Sequence, residues 1–555
     1  MSGLYRTMPN HQMVRDLRRL ADTRFDLIII GAGFYGAIAA WDATLRGLSV
    51  ALIDQGDFGG ATSFNNLKTL HGGLRSLQGM NLPQMRLFIR ERRAFARVAP
   101  HLVQPLAFVV PTYRGHRRSA LVMRTALLIN EIVSRDRHDG LEDSSLHLPA
   151  GTVVDREECL RLNPLIAPDG VTGGAVWHDY QMHSSDRMTF SFVLSAAAKG
   201  AATANYVKAV RLVRNETRVS GVMVEDQLTR NPFEIRGDTI LNATGPWATS
   251  WLHDLAPTAK SPAPLLSRAM NLILGRQPSS HACGGLADGR FLFLVPWRDV
   301  SILGTSHDAH DGRPEALHVN ASDVDAFLAD AKTAFPHAQL APSNVRLVHR
   351  GLLPMMAGHG THVRLLREST VVNHRRDGVG GLISMFGVRY TTARATAAQA
   401  IDVVFRDRGS DSPPVSRTSD TAVEGGAIGD KEGFLRQAVQ DCTSGPSAET
   451  RRRLALTYGT RFQELLGLMQ KHDELAQPLS TTCAVTGAEI IHAVRCESAM
   501  RLIDALVRRT EAGSAGHPGD EAIQRAAGLM SSELGWTDDR IADEIATTQA
   551  FYRIP

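Results

Sequence analysis

Phe25, Leu27, Ile28, Ile29 and Ile30 form an apolar, β-branched run, the pattern of a parallel strand buried on both faces. It enters Gly31-Ala32-Gly33-Phe34-Tyr35-Gly36; the stretch from there to Arg46 has helical composition and stops at Gly47. Ser49–Ile53 predicts a second strand ending on Asp54. Thr239–Ala243 is a strand closing on Thr244-Gly245, and Gly381–Gly387 a strand that leads into an alanine-rich helix. Between them, Arg211–Ile240 reads as strands with a turn at Thr229-Arg230-Asn231-Pro232, and alternating runs such as Phe291–Val295 predict an antiparallel sheet. Ser412-Pro413-Pro414-Val415, among serines and aspartates, marks a linker; beyond it Leu454–Met469 and Ile490–Val507 carry apolar residues at helical spacing.

Composition adds mainly exclusions. The 555 residues exceed one typical domain, and 43% hydrophobic with 21% charged residues is the balance of an ordinary folded protein. The 61 basic and 57 acidic residues are interspersed, which gives no nucleic-acid signal. Cys159, Cys283, Cys442, Cys483 and Cys496 are scattered without a Cys-x-x-Cys pair, so neither disulfides nor a metal site is expected, and a reducing cytoplasm is. Met8–Arg24 is polar and basic, unlike a signal peptide. The longest apolar run, Leu27–Trp41, contains three glycines and is shorter than the roughly 20 residues of a membrane span.

Strand, glycine turn, helix, strand and terminal acid occur in the order of a dinucleotide-binding unit. Gly31 permits the tight turn, Gly33 admits a pyrophosphate, and Gly36 lets the helix pack on the strand. The helix N-terminus faces the phosphates and Asp54 the ribose hydroxyls. This motif alone does not distinguish a nicotinamide from a flavin. The segment after Asp54 makes the distinction: Asp57–Ser63 and Lys68–Arg75 form a loop dense in glycine and small hydroxyl residues, suited to run along an extended cofactor through backbone groups, where a nicotinamide domain would continue with another βα unit. A helix N-terminus after Gly387 would stabilise negative charge on a reduced flavin. The expected FAD contacts are Gly31, Gly33, Gly36, Asp54, Ala61, Thr62, Ser63, Lys68, His71, Gly72, Gly73, Leu74, Val207, Thr244, Gly245, Trp247, Gly387, Arg389, Tyr390 and Thr391.

With these motifs in place, the sequence resembles the FAD-dependent glycerol-3-phosphate dehydrogenase family, within the D-amino-acid-oxidase-like flavoproteins. The resemblance rests on Ala61–Arg75, Glu91-Arg92 with Ala99-Pro100-His101-Leu102, Asn242–Trp247, Val295-Pro296-Trp297 with Gly304-Thr305, and Tyr390–Arg394. It continues through Gly425–Ile428, Thr457-Tyr458-Gly459 and Glu533–Trp536, and so covers nearly the whole chain from about Arg24. It implies an α/β fold: a discontinuous Rossmann-like FAD-binding domain (24–80, 150–260 and 373–406), an antiparallel-sheet substrate domain (81–149 and 261–372), a linker (407–422) and an all-α C-terminal domain (423–555).

The implied activity is oxidation of the secondary hydroxyl of glycerol 3-phosphate or a related polyol phosphate, with electrons passed to a quinone or another non-nicotinamide acceptor. The same resemblance suggests peripheral attachment to the inner face of a membrane, through the arginines of 86–97 and the basic and apolar stretch Arg117–Arg135, with a solvated helix face as the alternative reading of these residues; a homodimer is left open. The substrate positions depart from the family pattern. Asn271 stands where the family has a histidine, Leu353 where it has the arginine of G-V-R-P, and Arg389 where it has a lysine. An asparagine orients a hydroxyl but is no useful base, so His307 becomes the candidate base. Arg75, Arg350, Arg367 and Arg389 become the candidates for holding a small anionic substrate. A different hydroxylated or amine substrate, and a catalytically silent flavin protein, are the competing readings.

Overall fold

The computed structural model describes residues 12–115, 119–259, 264–356, 363–440 and 445–555. Arg117 and Cys442, singled out above, lie outside them.

The first sheet is built as the apolar runs predict. Its order is Thr370–Asn373, Leu382–Phe386, Pro232–Asn242, Arg24–Ile30, Val50–Ile53 and Ala202–Ala204. All neighbours are parallel except the Thr370–Asn373 edge, and the antiparallel strands Val207–Arg214 and Val219–Asp226 extend it beside Pro232–Asn242. The Arg24–Ile30 strand has neighbours on both sides, and so its isoleucines bury completely or nearly so. Helices Phe34–Leu45, Ser185–Ala198 and Ala393–Asp407 pack together on one face. Ile30, Ile53, Asn242 and Phe386 end their strands at one edge, where open α/β sheets bind ligands.

The second sheet has nine strands and stands over that edge. Its pairs are antiparallel apart from Ala282–Ala287 beside Val103–Tyr113. The stretch 150–182 departs from the expected partition. Its strands Thr152–Val154 and Val171–Met182 hydrogen-bond into this second sheet, as Thr69–Leu70 does, because Val171–Met182 pairs along its length with Val103–Tyr113.

The 407–422 segment is an ordered strap: the Ser416 hydroxyl donates to Asp42, and Thr418 is buried beneath Arg394. The C-terminal part is helical, with one small hairpin at Pro478–Ser480 and Cys483–Thr486. The two long helices expected there are each broken. Gly459, at φ +56°, divides Ala448–Tyr458 from Phe462–Lys471, and Ser498, at φ +50°, ends Gly487–Glu497 before a π-helical turn at Asp504–Arg509.

This C-terminal part meets the first sheet through buried charges. Burial alone would lower the pKa of His492, but hydrogen bonds with Cys496 and Glu497 raise it to about 9. A histidine whose pKa rises on folding stabilises fully below its unfolded value, and that contribution is lost as pH climbs through the folded one. Unfolding free energy is therefore expected to fall between about pH 6.5 and 9, and His492→Gln to flatten that decline in urea titrations at several pH values. An unchanged slope in the variant would assign the pH dependence to other groups.

Candidate active site

The parallel strands' carboxyl edge and the second sheet enclose a continuous cleft of about 2380 Å³. Small-molecule sites typically occupy roughly 300–1,000 Å³, so the cleft has room for a dinucleotide together with a substrate. Its geometry at the glycines matches the roles read from sequence. A Cβ on Gly36 would lie 1.9 Å from the Gly31 carbonyl oxygen, and Gly31, at φ +101°, sits against the Ala243 carbonyl. Gly33 differs: a Cβ there would meet only the Ser63 hydroxyl at 3.1 Å, so this glycine keeps open a surface facing the cleft. The N–H of Phe34 donates to Ser63 Oγ at 2.9 Å, which ties the hydroxyl-rich loop to the helix N-terminus. Asp54 accepts from the N–H groups of Ala32 and Gly56 at 2.7 and 2.9 Å, and burial raises its pKa to about 6. This cradle, with a carboxylate at its end, fits FAD. Gly33→Leu is expected to leave the fold intact and abolish flavin retention, read as loss of visible absorbance with an unchanged far-ultraviolet spectrum. A yellow variant would show that no phosphate approaches there.

Of the expected FAD contacts, Gly36, Gly72 and Lys68 do not line the cleft. Gly36 lies behind the turn. Gly72 is buried, donating its N–H to Asp179 Oδ1 at 2.7 Å. The Lys68 side chain is fully buried and turned inward: its amine donates to Phe64 O and Ser185 Oγ, both at 2.8 Å, near Asp186 and above the Trp297 ring. Burial lowers its pKa to about 8. Lys68 thus supports the 62–64 turn from beneath.

Tyr35, inside the glycine motif, carries a role that the sequence does not signal. Its hydroxyl donates to the Arg389 carbonyl at 2.7 Å and accepts from the N–H groups of Val388 and Arg389 at 3.1 and 3.0 Å. Beside it, the Phe34 and Tyr390 rings stack. The glycine motif and the segment after Gly387 are therefore one structural unit.

The predicted substrate residues separate into two groups. Arg75, Asn271, His307, Leu353 and Arg389 line the cleft; Arg350 and Arg367 do not. Arg350 falls on the solvent face of its strand by simple alternation, and Arg367 is exposed, its carbonyl accepting from Gln84. Asn271 is 1% exposed and held at both ends of its amide: the nitrogen donates to Asn65 Oδ1 at 2.7 Å, and the oxygen accepts from Thr305 Oγ1 at 2.8 Å. It positions Thr305 at the cleft wall. His307 reaches Ser267 Oγ at 3.4 Å; burial, with Arg290 and Arg75 adding, lowers its pKa to about 4. The ring is neutral above that pH and a weak proton acceptor.

A better-placed acceptor is His71, assigned from sequence to the cofactor alone. Its ring is 47% exposed and lines the cleft. Nδ1 lies 3.3 Å from Asp179 Oδ2 and Nε2 lies 2.9 Å from Thr69 Oγ1, while the backbone N–H of His71 donates to Thr391 Oγ1 at 3.1 Å. Burial would raise the Asp179 carboxyl, but hydrogen bonding to His71 and the charge of Arg92 hold it below the ordinary range. The sequence signal for Asp179 is weak: a carboxylate flanked by Trp177 and Tyr180 within the Val171–Met182 stretch. Arg75 and Arg389 both line the cleft and bring positive charge to it; burial, with the charges of Arg75 and Arg367 adding, lowers the pKa of Arg389.

Fold, glycine cradle and cleft define a flavin-dependent redox enzyme. The chain belongs to the family described as DAO, FAD dependent oxidoreductase, whose model matches residues 26–398, and its cofactor is FAD. Residues 416–541 match the C-terminal domain of alpha-glycerophosphate oxidase. Among its relatives are the glycerol-3-phosphate dehydrogenases of Synechocystis sp. (26% identical, covering 96% of this chain and 97% of the relative) and Mycobacterium leprae (29%, 96% and 88%). The human mitochondrial glycerol-3-phosphate dehydrogenase is 27% identical, over 95% of this chain and 73% of that one. A glycerol-3-phosphate dehydrogenase from Bacillus halodurans, solved with FAD, shares the fold at a TM-score of 0.75 and 24% identity, over 96% of this chain and 95% of that one. The α/β architecture with a helical C-terminal domain, expected from sequence, is that of this family.

Proposed function

We propose that this enzyme oxidises the secondary hydroxyl of a small phosphorylated polyol of the glycerol 3-phosphate class to a ketone. The observation that carries the reading is the meeting, at one end of the cleft, of the cationic pair Arg75 and Arg389 with the His71–Asp179 pair. The arginines hold the phosphate, and charge-assisted hydrogen bonds of this kind contribute roughly 1.5–3 kcal/mol each. His71 takes the hydroxyl proton, with Asp179 orienting the ring and stabilising the imidazolium. FAD supplies the acceptor for the hydride leaving the same carbon.

Leu353 supports a second reading. With Leu352, Val363 and Leu365 it makes one wall of the cleft apolar, which suits a larger or less charged hydroxylated substrate.

For the acceptor, the structure favours an apolar molecule of the quinone class reached from a membrane surface. The arginines of 86–97 are largely spoken for: Arg86 and Arg93 pair with Asp136, Arg92 with Asp179, and Arg97 donates to the carbonyls of Asp139 and Gly140. The Ala120–Val133 helix instead exposes Leu121, Leu128 and Ile132, while its Val122, Met123 and Ala126 line the cleft mouth. Among the described residues, no helix is long and apolar enough to cross a membrane.

Anaerobic bleaching of the flavin by a panel of phosphorylated polyols, neutral polyols and amino acids tests the reading. Glycerol 3-phosphate is expected to bleach at the lowest concentration, with Arg389→Leu raising that concentration by about ten- to a hundredfold. Preferential bleaching by a neutral polyol would favour the second reading. Bleaching by an amine, or by nothing in the panel, would refute both.

A further inference from the structure

The matched FAD-dependent oxidoreductase region ends at residue 398, yet the cofactor cleft continues beyond it onto the C-terminal helical part. Arg501, Ile503, Arg508 and Thr547 all line it. They stand at one end, reached by a chain of contacts from the carboxylate that marks the ribose. The Asp54 carbonyl accepts from Val207 N at 2.7 Å and the Gly56 carbonyl from Tyr206 N at 2.9 Å, which fixes Tyr206 and Val207 beside the turn after Asp54. The Tyr206 hydroxyl donates to Asp504 Oδ1 at 2.7 Å, and the Arg501 guanidinium lies 5.1 Å from the centre of the Tyr206 ring.

The arginines here differ in a way that separates support from binding. Arg508 and Arg509 are consumed by the protein: Arg508 pairs with Asp57 and Asp504, and Arg509 grips both oxygens of Asp57 at 2.8 and 2.7 Å. Asp57 belongs to the same loop as Asp54, so these two hold the loop in shape. Arg501 has no such partner. Among the described residues its side chain forms no hydrogen bond or ion pair, and its Nε is buried and unsatisfied. A planar cation with free donors, half-buried on a tyrosine and facing the cleft, needs a ligand that offers a π face or acceptor atoms.

We propose that Arg501 binds the adenosine end of FAD, so that the C-terminal part completes the cofactor site from outside the dinucleotide fold. The inference rests on FAD as the cofactor and is independent of the substrate reading. Full-length protein stripped of flavin is titrated with FAD by fluorescence quenching, and ADP is used as the competitor because it carries the adenosine end alone. Arg501→Gln is expected to weaken FAD and ADP together by about tenfold, with the melting temperature of the flavin-free protein unchanged. If the glutamine variant does not fold, Arg501→Lys serves: it keeps the charge, loses the planar donor face, and is expected to weaken both ligands severalfold. Wild-type affinities in a folded variant would overturn the proposal, as would a loss of FAD affinity that spares ADP.

Discussion

His71→Gln is expected to slow anaerobic flavin reduction by about 10²- to 10⁴-fold, the usual contribution of a positioned acid or base, while the bound-flavin spectrum stays that of the wild type. Glutamine can keep a contact with Thr69 or Asp179 but cannot take a proton, so cofactor binding and chemistry separate. Asp179→Asn should cause a smaller loss, because the ring is then held by Thr69 alone. His307 provides the contrast. With its pKa lowered to about 4, it is already neutral through the physiological range, and His307→Asn should leave the pH profile above pH 5 unchanged. A limb near pH 4 that vanishes in His307→Asn, together with near-normal reduction in His71→Gln, would transfer the role of base to His307.

Glu497→Gln is expected to cost about 3–5 kcal/mol of stability, the usual penalty for removing one partner of a buried ion pair. Glu497 is fully buried and takes both Arg187 guanidinium nitrogens, at 2.7 and 2.6 Å, with His492 at 3.3 Å and Arg461 at 3.7 Å. These charges pull its carboxyl well below the ordinary range despite a burial that works the other way. Glutamine leaves Arg187 without its counter-charge in a site that water does not reach, whereas Arg461 keeps Glu464. Because Arg187 sits on the Ser185–Ala198 helix and Glu497 in the C-terminal part, the loss should appear as a lowered urea midpoint for both regions together. The double change Arg187→Met with Glu497→Leu should recover part of it, since the buried guanidinium of Arg187 is then removed together with its partner. A single variant within 1 kcal/mol of wild type would show that solvent or neighbouring groups already satisfy the arginines.

Local chemistry made the cofactor half of the site readable from sequence. Gly31 and Gly36 are required by a positive φ or a close approach, Gly33 by the open surface it leaves toward the cleft, and Asp54 by its place at a strand end; such demands act over a few residues and leave a fixed spacing. The apolar runs were equally plain, because a strand buried on both faces admits little else. The sequence also placed Leu353 and Arg389 at the substrate end, and both line the cleft. What it left undecided depends on partners that only the tertiary structure supplies. His71 becomes a candidate base through Asp179, 108 residues away, and Asp57 is held by Arg509, 452 residues away. Lys68 turns inward because Ser185 and Asp186 wait beneath it, and Arg350 turns outward by the two-residue period of its strand. Spacing encodes backbone geometry; the partner of a side chain is set by which distant segments the sheets bring together.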